Sequence, residues 1–136
     1  MAVLWWSSSR SPSAREPNLL RALLHNGMHV VAYGTLAAAC LLSLLRVGLS
    51  PGRRAGRTLA SFVLAVAYGL VDELHQSFVP GRTCSVADLL TDAAGAMAAL
   101  LLLRPCVGGA PVPGRRIAGM AVLCAGCVAF ATFGPW

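Results

Sequence analysis

The apolar positions of this chain form four long stretches that are separated by short polar breaks. The stretches cover residues 28–47, 59–78, 86–103 and 117–133. Each is about 17 to 20 residues long, close to the ~20 residues that a helix needs to cross a ~30 Å hydrocarbon core at 1.5 Å per residue. The breaks contain proline, glycine and serine, which end helices and form tight connections. The pattern predicts an all-α integral membrane bundle of four transmembrane helices, joined as antiparallel hairpins.

The same pattern divides the chain into four parts. Residues 1–27 are expected to form a polar N-terminal segment, and residues 28–103 a membrane domain of three helices. Residues 104–116 are expected to be a loop rich in proline, glycine and arginine, and residues 117–136 a C-terminal transmembrane helix. The apolar start of the chain is too short for the core of a signal peptide. An alternative is that it is the end of a longer upstream helix, the remnant of a first transmembrane helix.

Composition supports a membrane location. The chain is 57% hydrophobic and only 12% charged, with a mean hydropathy of +0.68. A soluble domain of this length needs more charge, because much of its surface must face water. All eleven basic residues are arginine, and they lie in polar breaks without a basic stripe or an aromatic platform. The expected partner is therefore the lipid bilayer, and no nucleic acid is expected.

The arginines predict an orientation. They flank the first break at Arg46, Arg53, Arg54 and Arg57 and the third at Arg104, Arg115 and Arg116, whereas the second break has only Arg82. The positive-inside rule places the first and third breaks in the cytoplasm and the loop around Arg82 outside. Three arginines argue against this orientation, because they precede the first span and would lie outside: Arg10, Arg15 and Arg21.

Polar side chains collect near three helix ends. They are His29 and Tyr33 in the first span, Asp72, Glu73, His75 and Gln76 in the second, and Asp88 and Asp92 in the third. Because the spans alternate in direction, these ends lie at the same side of the membrane. Spacings of three and four residues place the members of each group on shared helix faces. Ionisable groups inside a membrane are costly and usually pair in a bundle interior. The sequence therefore predicts one polar pocket near the outer face.

Two further spacings concern packing. Gly95 and Ala99 are four residues apart, a small-residue spacing that lets helices approach closely. Cys124 and Cys127 have CxxC spacing inside an apolar run, with no second pair and no nearby histidine to complete a zinc site. Apolar packing is the expected role of both cysteines.

Two interpretations of the polar residues stay open. A structural network, or a position among the lipid headgroups, explains His29, Asp88 and Arg82 as well as a pocket does. Asp72 and Glu73 lie deeper in an apolar run and favour the pocket. With His75 they are the candidate catalytic residues, since carboxylates beside a histidine can do acid and base work. A cation held by Asp72, Glu73 and Asp88 together with His29 or His75 is an alternative. The sequence contains no HExxH, no GxSxG and no glycine-rich phosphate loop, so no metal or cofactor is predicted and catalysis stays undecided.

A longer motif resembles a known family. Residues 72–82 read DELHQSFVPGR, and Ser85, Asp88 and Gly95 follow. The run is similar to the VanZ-like family, in which a DExxQ helix end leads into a VPGR loop and an aspartate-started helix. His29 and Tyr33 match the HxxxY helix before it. The resemblance covers about residues 25–103, and Asp92 stands where the family often has asparagine, which adds a carboxylate to the pocket.

The resemblance implies a multi-pass protein of the bacterial cytoplasmic (inner) membrane. The family is named for a member linked to resistance to the glycopeptide teicoplanin, and such antibiotics bind cell-wall precursors outside the membrane. The expected function is a cell-envelope protein whose outer-face pocket binds a lipid-linked cell-wall precursor or another amphiphilic ligand and contributes to glycopeptide tolerance. The expected ligand-binding residues are His29, Tyr33, Asp72, Glu73, Gln76, Arg82, Asp88 and Asp92.

Two other function classes compete with this expectation. The alternative is a membrane-embedded hydrolase that acts on a lipid phosphate or a cell-wall intermediate. An ion pathway is disfavoured because residues 34–45 and 59–71 contain no ionisable side chain except Tyr68. The sequence does not determine the oligomeric state.

Overall fold

The computed structural model describes residues 19–46, 54–80 and 85–133, and within these ranges it contains four α-helices and no strand. The helices are α1 (Leu19–Arg46), α2 (Arg54–Gln76), α3 (Val86–Val107) and α4 (Gly114–Phe133). Each is long and apolar enough to cross a membrane. The predicted all-α bundle is confirmed, and the chain is a multi-pass membrane protein.

The first helix is longer than the hydropathy pattern predicts. It begins at Leu19 rather than at residue 28, so the end of the segment assigned to residues 1–27 is helical. The residues before 28 include several leucines, which favour a helix, but His25 and Asn26 interrupt their apolar run. As a result, the expectation that His29 lies near the start of its helix is wrong. His29 lies about 15 Å along the axis from that start, at 1.5 Å per residue.

Helices α1 and α3 run parallel and approach each other closely. A Cβ atom added at Gly95 would lie 2.7 Å from the Cα of Val30, which leaves no room for a side chain there. A Cβ atom added at Gly34 would lie 3.1 Å from the Gly95 carbonyl oxygen and 3.4 Å from the Cβ of Ala99. The small-residue spacing in α3 therefore marks a close helix contact, as predicted. This contact sets the distance across which the polar side chains of the two helices face each other.

An apolar core fills the other half of the bundle. Its buried members are Ala37, Leu41, Ala65, Ala96 and Leu100. The α1 and α3 members lie toward the C-terminal ends of those helices, whereas the predicted polar residues lie nearer their starts. The bundle thus has its polar cluster toward one end and this apolar core toward the other, where Arg57 and Ser61 of α2 are also buried.

Helix α4 packs on the outside of α1 and α3 and contains no buried residue. Near its end, the Thr132 hydroxyl accepts a hydrogen bond of 3.0 Å from the Asn26 side-chain amide of α1. Nearer its middle, the Cys124 thiol lies 3.8 Å from the Ala94 carbonyl oxygen of α3 and donates to it. Cys124 and Cys127 are both free and half-buried. The end of α4 therefore lies on the same side of the bundle as the polar residues.

Candidate functional site

Five polar side chains from three helices are almost completely buried at one side of the bundle. Tyr33, Glu73 and Asp92 are each 1% exposed, Gln76 is 2% exposed and Asp72 is 5% exposed. They come from α1, α2 and α3. The structure thus brings together most of the residues that the helix-end argument selected, and it places them inside the bundle rather than on its lipid-facing surface.

A histidine and a carboxylate connect α1 to α3. The His29 Nδ1 atom lies 2.8 Å from the Asp92 Oδ1 atom. Asp92 is almost fully buried, whereas the His29 side chain keeps 12% of its surface exposed. A carboxylate at Nδ1 orients the imidazole ring and leaves Nε2 as the nitrogen for a further partner. The pair could therefore both hold the two helices together and present a basic nitrogen at the edge of the polar cluster.

Glu73 joins the end of α2 to the start of α3. Its Oε2 atom accepts a hydrogen bond of 2.7 Å from the backbone N–H of Ser85. Ser85 is the N-cap of α3, and its hydroxyl accepts a 3.3 Å hydrogen bond from the backbone N–H of Asp88. Asp88 is half-buried in the first helical turn, where a carboxylate interacts favourably with the helix dipole. Asp88 therefore has a structural role at the start of α3, beside the polar cluster.

Asp72 and Gln76 pair along one face of α2, as their spacing predicts. The Gln76 amide donates a 3.0 Å hydrogen bond to Asp72 Oδ2. His75, the third catalytic candidate, is only half-buried on the same helix. The structure therefore gives Asp72 and Gln76 a shared position inside the bundle and leaves His75 nearer its surface.

Aromatic rings lie beside the polar cluster along α1. The His29 and Tyr33 rings are stacked at 6.0 Å between centroids with an interplanar angle of 17°. His25 meets His29 edge-on at 4.8 Å, and Tyr68 of α2 lies 6.4 Å from Tyr33. The site prediction omitted His25 and Tyr68. Helical spacing could have found both, because His25 is four residues before His29 and Tyr68 is four residues before Asp72.

Four buried oxygen atoms of this cluster have no hydrogen-bond partner among the described residues. They are Tyr33 OH, Asp72 Oδ1, Glu73 Oε1 and Asp92 Oδ2. Gly69 lies between two of these groups, because a Cβ atom there would be 2.8 Å from Asp92 Oδ2 and 3.3 Å from Tyr33 Cε1. Buried polar atoms are normally satisfied, so these four are candidate contact points for water or a ligand group. The cluster thus offers hydrogen-bond acceptors on three helices.

An apolar groove begins next to this polar cluster. It is shallow and open, has a volume of about 340 Å³ and lies on the surface where α1 and α3 meet. Its lining consists of small and β-branched residues: Val30, Val31, Gly34, Thr35, Ala38, Gly95, Ala98 and Ala99. Val30 follows His29 in sequence, and Gly95 is one helical turn beyond Asp92. A polar cluster and an apolar groove are therefore adjacent along the same pair of helices.

Arg82, which the sequence analysis named as a ligand-binding residue, lies outside the described residues. Within residues 19–46, 54–80 and 85–133, no three histidine, cysteine or acidic side chains group in a way that could hold a metal ion.

Comparison with known proteins places the chain in a family. No curated protein and no solved structure shows a significant match. The family model described as VanZ/LLP1 matches residues 2–107. The match contains the whole of α1, α2 and α3 with their polar cluster, and it begins well before the motif that suggested the resemblance. The chain belongs to the VanZ/LLP1 family.

Proposed function

We propose that this protein is a cell-envelope protein of the bacterial cytoplasmic membrane whose outer-face polar pocket binds the headgroup of a lipid-linked or amphiphilic ligand. Through that ligand it contributes to tolerance of teicoplanin-type glycopeptides. The observation that carries the proposal is the set of four buried, unpartnered oxygen atoms from Tyr33, Asp72, Glu73 and Asp92. Burying such atoms without partners costs about 1 to 3 kcal/mol each. A ligand that supplies hydrogen-bond donors would recover that energy.

The ligand chemistry follows from the kinds of atom in the pocket. Three of the four unpartnered atoms are carboxylate oxygens, which accept hydrogen bonds when ionised. Hydroxyl and amine groups, which are common in sugar and peptide headgroups, are suitable donors. An acidic group on the same ligand would suit Arg82, which follows α2 in the sequence, because guanidinium pairs with phosphate and carboxylate.

The amphiphilic character of the ligand follows from the groove between α1 and α3. An apolar groove beside Val30 and Gly95 would take a hydrocarbon chain while the headgroup stays at His29 and Asp92. A soluble headgroup alone would leave this groove unused. The adjacency of the polar cluster and the groove supports a lipid-linked ligand over a small polar one.

Lipid co-purification tests the proposal. The full chain is purified in mild detergent, and bound amphiphiles are extracted and identified by mass spectrometry. Glu73→Gln and Asp72→Asn keep side-chain size and change the charge, so they should lower the yield of a specific amphiphile at least about tenfold, equivalent to ~1.4 kcal/mol. Cys127→Ala is the control and should leave the yield unchanged. An identical lipid profile in all variants would contradict the proposal.

The His29–Asp92 pair favours a second candidate function, a membrane-embedded hydrolase. A histidine whose Nδ1 contacts a carboxylate is a common general base, and Glu73 could supply or take a second proton. This candidate predicts release of phosphate from a polyprenyl diphosphate by the purified chain, and loss of that release in His29→Gln. Binding without turnover would favour the first candidate.

A further inference from the structure

A second groove lies at the opposite end of the bundle from the polar cluster. It has a volume of about 560 Å³ and opens between the last turn of α3 and the first turns of α4. Its lining residues are Leu101, Arg104, Pro105, Arg116 and Met120. The groove therefore combines two arginines, one from each helix, with an apolar wall.

The acidic side chains of the described residues all lie toward one end of the bundle. All four acidic residues in the described ranges lie near the end of α2 or the start of α3: Asp72, Glu73, Asp88 and Asp92. None of them lines the groove that contains Arg104 and Arg116. Both arginine side chains are exposed. A positive site without nearby carboxylates attracts an anion, and attraction is stronger at the edge of a low-dielectric membrane than in water.

The helix ends at this groove reinforce the preference for an anion. Helix α4 begins at Gly114, so the positive end of its dipole lies beside Arg116. The last carbonyl groups of α3, at its negative end, already have hydrogen-bond donors. The Gly108 N–H bonds to the carbonyl oxygens of Arg104 and Pro105, and the Gly109 N–H bonds to that of Cys106. The Arg116 and Ile117 N–H groups bond to the Pro113 carbonyl oxygen, so the start of α4 adds its dipole to the field of the two arginines.

We infer that this groove, defined by Arg104, Arg116, Leu101 and Met120, binds an anionic phospholipid. The phosphate lies between the two guanidinium groups, and an acyl chain extends along Leu101 and Met120 into the membrane. Arginine suits this role because its planar guanidinium forms two parallel hydrogen bonds with phosphate oxygens. The apolar wall distinguishes the site from one for free phosphate. This inference does not depend on the ligand of the polar cluster.

Lipid titration followed by native mass spectrometry tests the inference on the full chain in detergent. The probes are dioleoylphosphatidylglycerol, dioleoylphosphatidylcholine and soluble glycerol 3-phosphate. We expect phosphatidylglycerol to bind at least about tenfold more tightly than phosphatidylcholine, and its affinity to fall as salt rises from about 0.1 M to 1 M, where screening is strong. Equal binding of the two lipids would overturn the inference, and equal binding of glycerol 3-phosphate would overturn its lipid part.

Arginine substitutions separate this groove from general surface charge. Arg104→Gln combined with Arg116→Gln should lower the phosphatidylglycerol affinity about tenfold. Arg115→Gln is the matched control, since Arg115 is an exposed neighbour in the same turn that does not line the groove. It should change the affinity less than twofold. The single variant Arg116→Gln is compared with Arg115→Gln directly. If the two lose phosphatidylglycerol affinity equally, no specific site exists. Melting temperatures in detergent verify that all variants are folded.

Discussion

The Nδ1 atom of His29 and the Oδ1 atom of Asp92 lie 2.8 Å apart, although 63 positions separate the two residues in the chain. The contact joins α1 to α3 across the helix pair that packs most closely. It also fixes the direction of the His29 ring at the edge of the polar cluster. A single interaction therefore links the stability of the bundle to the geometry of its candidate site.

Removal of this contact should destabilise the bundle measurably. His29→Ala leaves the buried Asp92 carboxylate without its partner, and we expect a loss of about 1.5 to 3 kcal/mol of unfolding free energy, typical of a hydrogen bond to a charged group. The double variant His29→Ala with Asp92→Ala should lose less than the sum of the two single variants, because the two residues interact directly. Thermal or denaturant unfolding in detergent measures all three. Simple additivity would show that the two groups do not stabilise each other.

The close packing of α1 and α3 should tolerate no side chain at position 95. Gly95→Ala places a Cβ atom 2.7 Å from the Cα of Val30, so the helices must separate. We expect a loss of about 1 to 3 kcal/mol, typical of overpacking. Gly126→Ala in α4 is the matched control, because a Cβ there meets nothing within 4 Å. It should be neutral or stabilising, since alanine favours a helix over glycine by about 1 kcal/mol. Equal stability of the two variants would contradict the observed helix spacing.

The polar residues should act as one site. Asp72→Asn, Glu73→Gln, His29→Gln and Arg82→Gln are each expected to abolish teicoplanin tolerance in a susceptible host while leaving membrane insertion and protein abundance largely intact. The asparagine and glutamine replacements keep a side-chain oxygen as acceptor, so the Gln76 and Ser85 contacts can persist without the charge.

Tolerance and abundance must be measured side by side in that experiment. Cys127→Ala serves as a control that should resemble the parent. Full tolerance in all four site variants would place the functional site elsewhere. Tolerance that falls only in proportion to protein level would support a structural role for the cluster.

The orientation prediction can be checked with a thiol reagent that does not cross membranes. If the arginine-rich breaks are cytoplasmic, the reagent should label Cys84 in intact cells and leave Cys106 unlabelled until the membrane is permeabilised. Variants with one remaining cysteine give the assignment without interference from Cys40, Cys124 and Cys127. The reverse labelling pattern would show that the predicted orientation is inverted. The polar residues would still lie together at one side of the membrane.

The sequence by itself determined the four helices of the described residues and the meeting of the polar residues toward one end of the bundle. Hydropathy is a local property, so four apolar stretches were enough to predict four spans. Antiparallel connections then placed the end of α2 and the start of α3 together, and helical spacing predicted the pairing of Asp72 with Gln76. The start of α1 at Leu19 was missed because His25 and Asn26 lower the local hydropathy without ending a helix.

Only the tertiary structure decided which groups contact each other across helices. Periodicity defines the faces of a helix, but it does not give the rotation of one helix against its neighbour. That rotation depends on side-chain volumes at the interface, here the close approach of α1 and α3 at Gly34 and Gly95. It pairs His29 with Asp92 and leaves the Tyr33 hydroxyl buried without a partner among the described residues. These are long-range consequences of packing, which no local pattern in the sequence encodes.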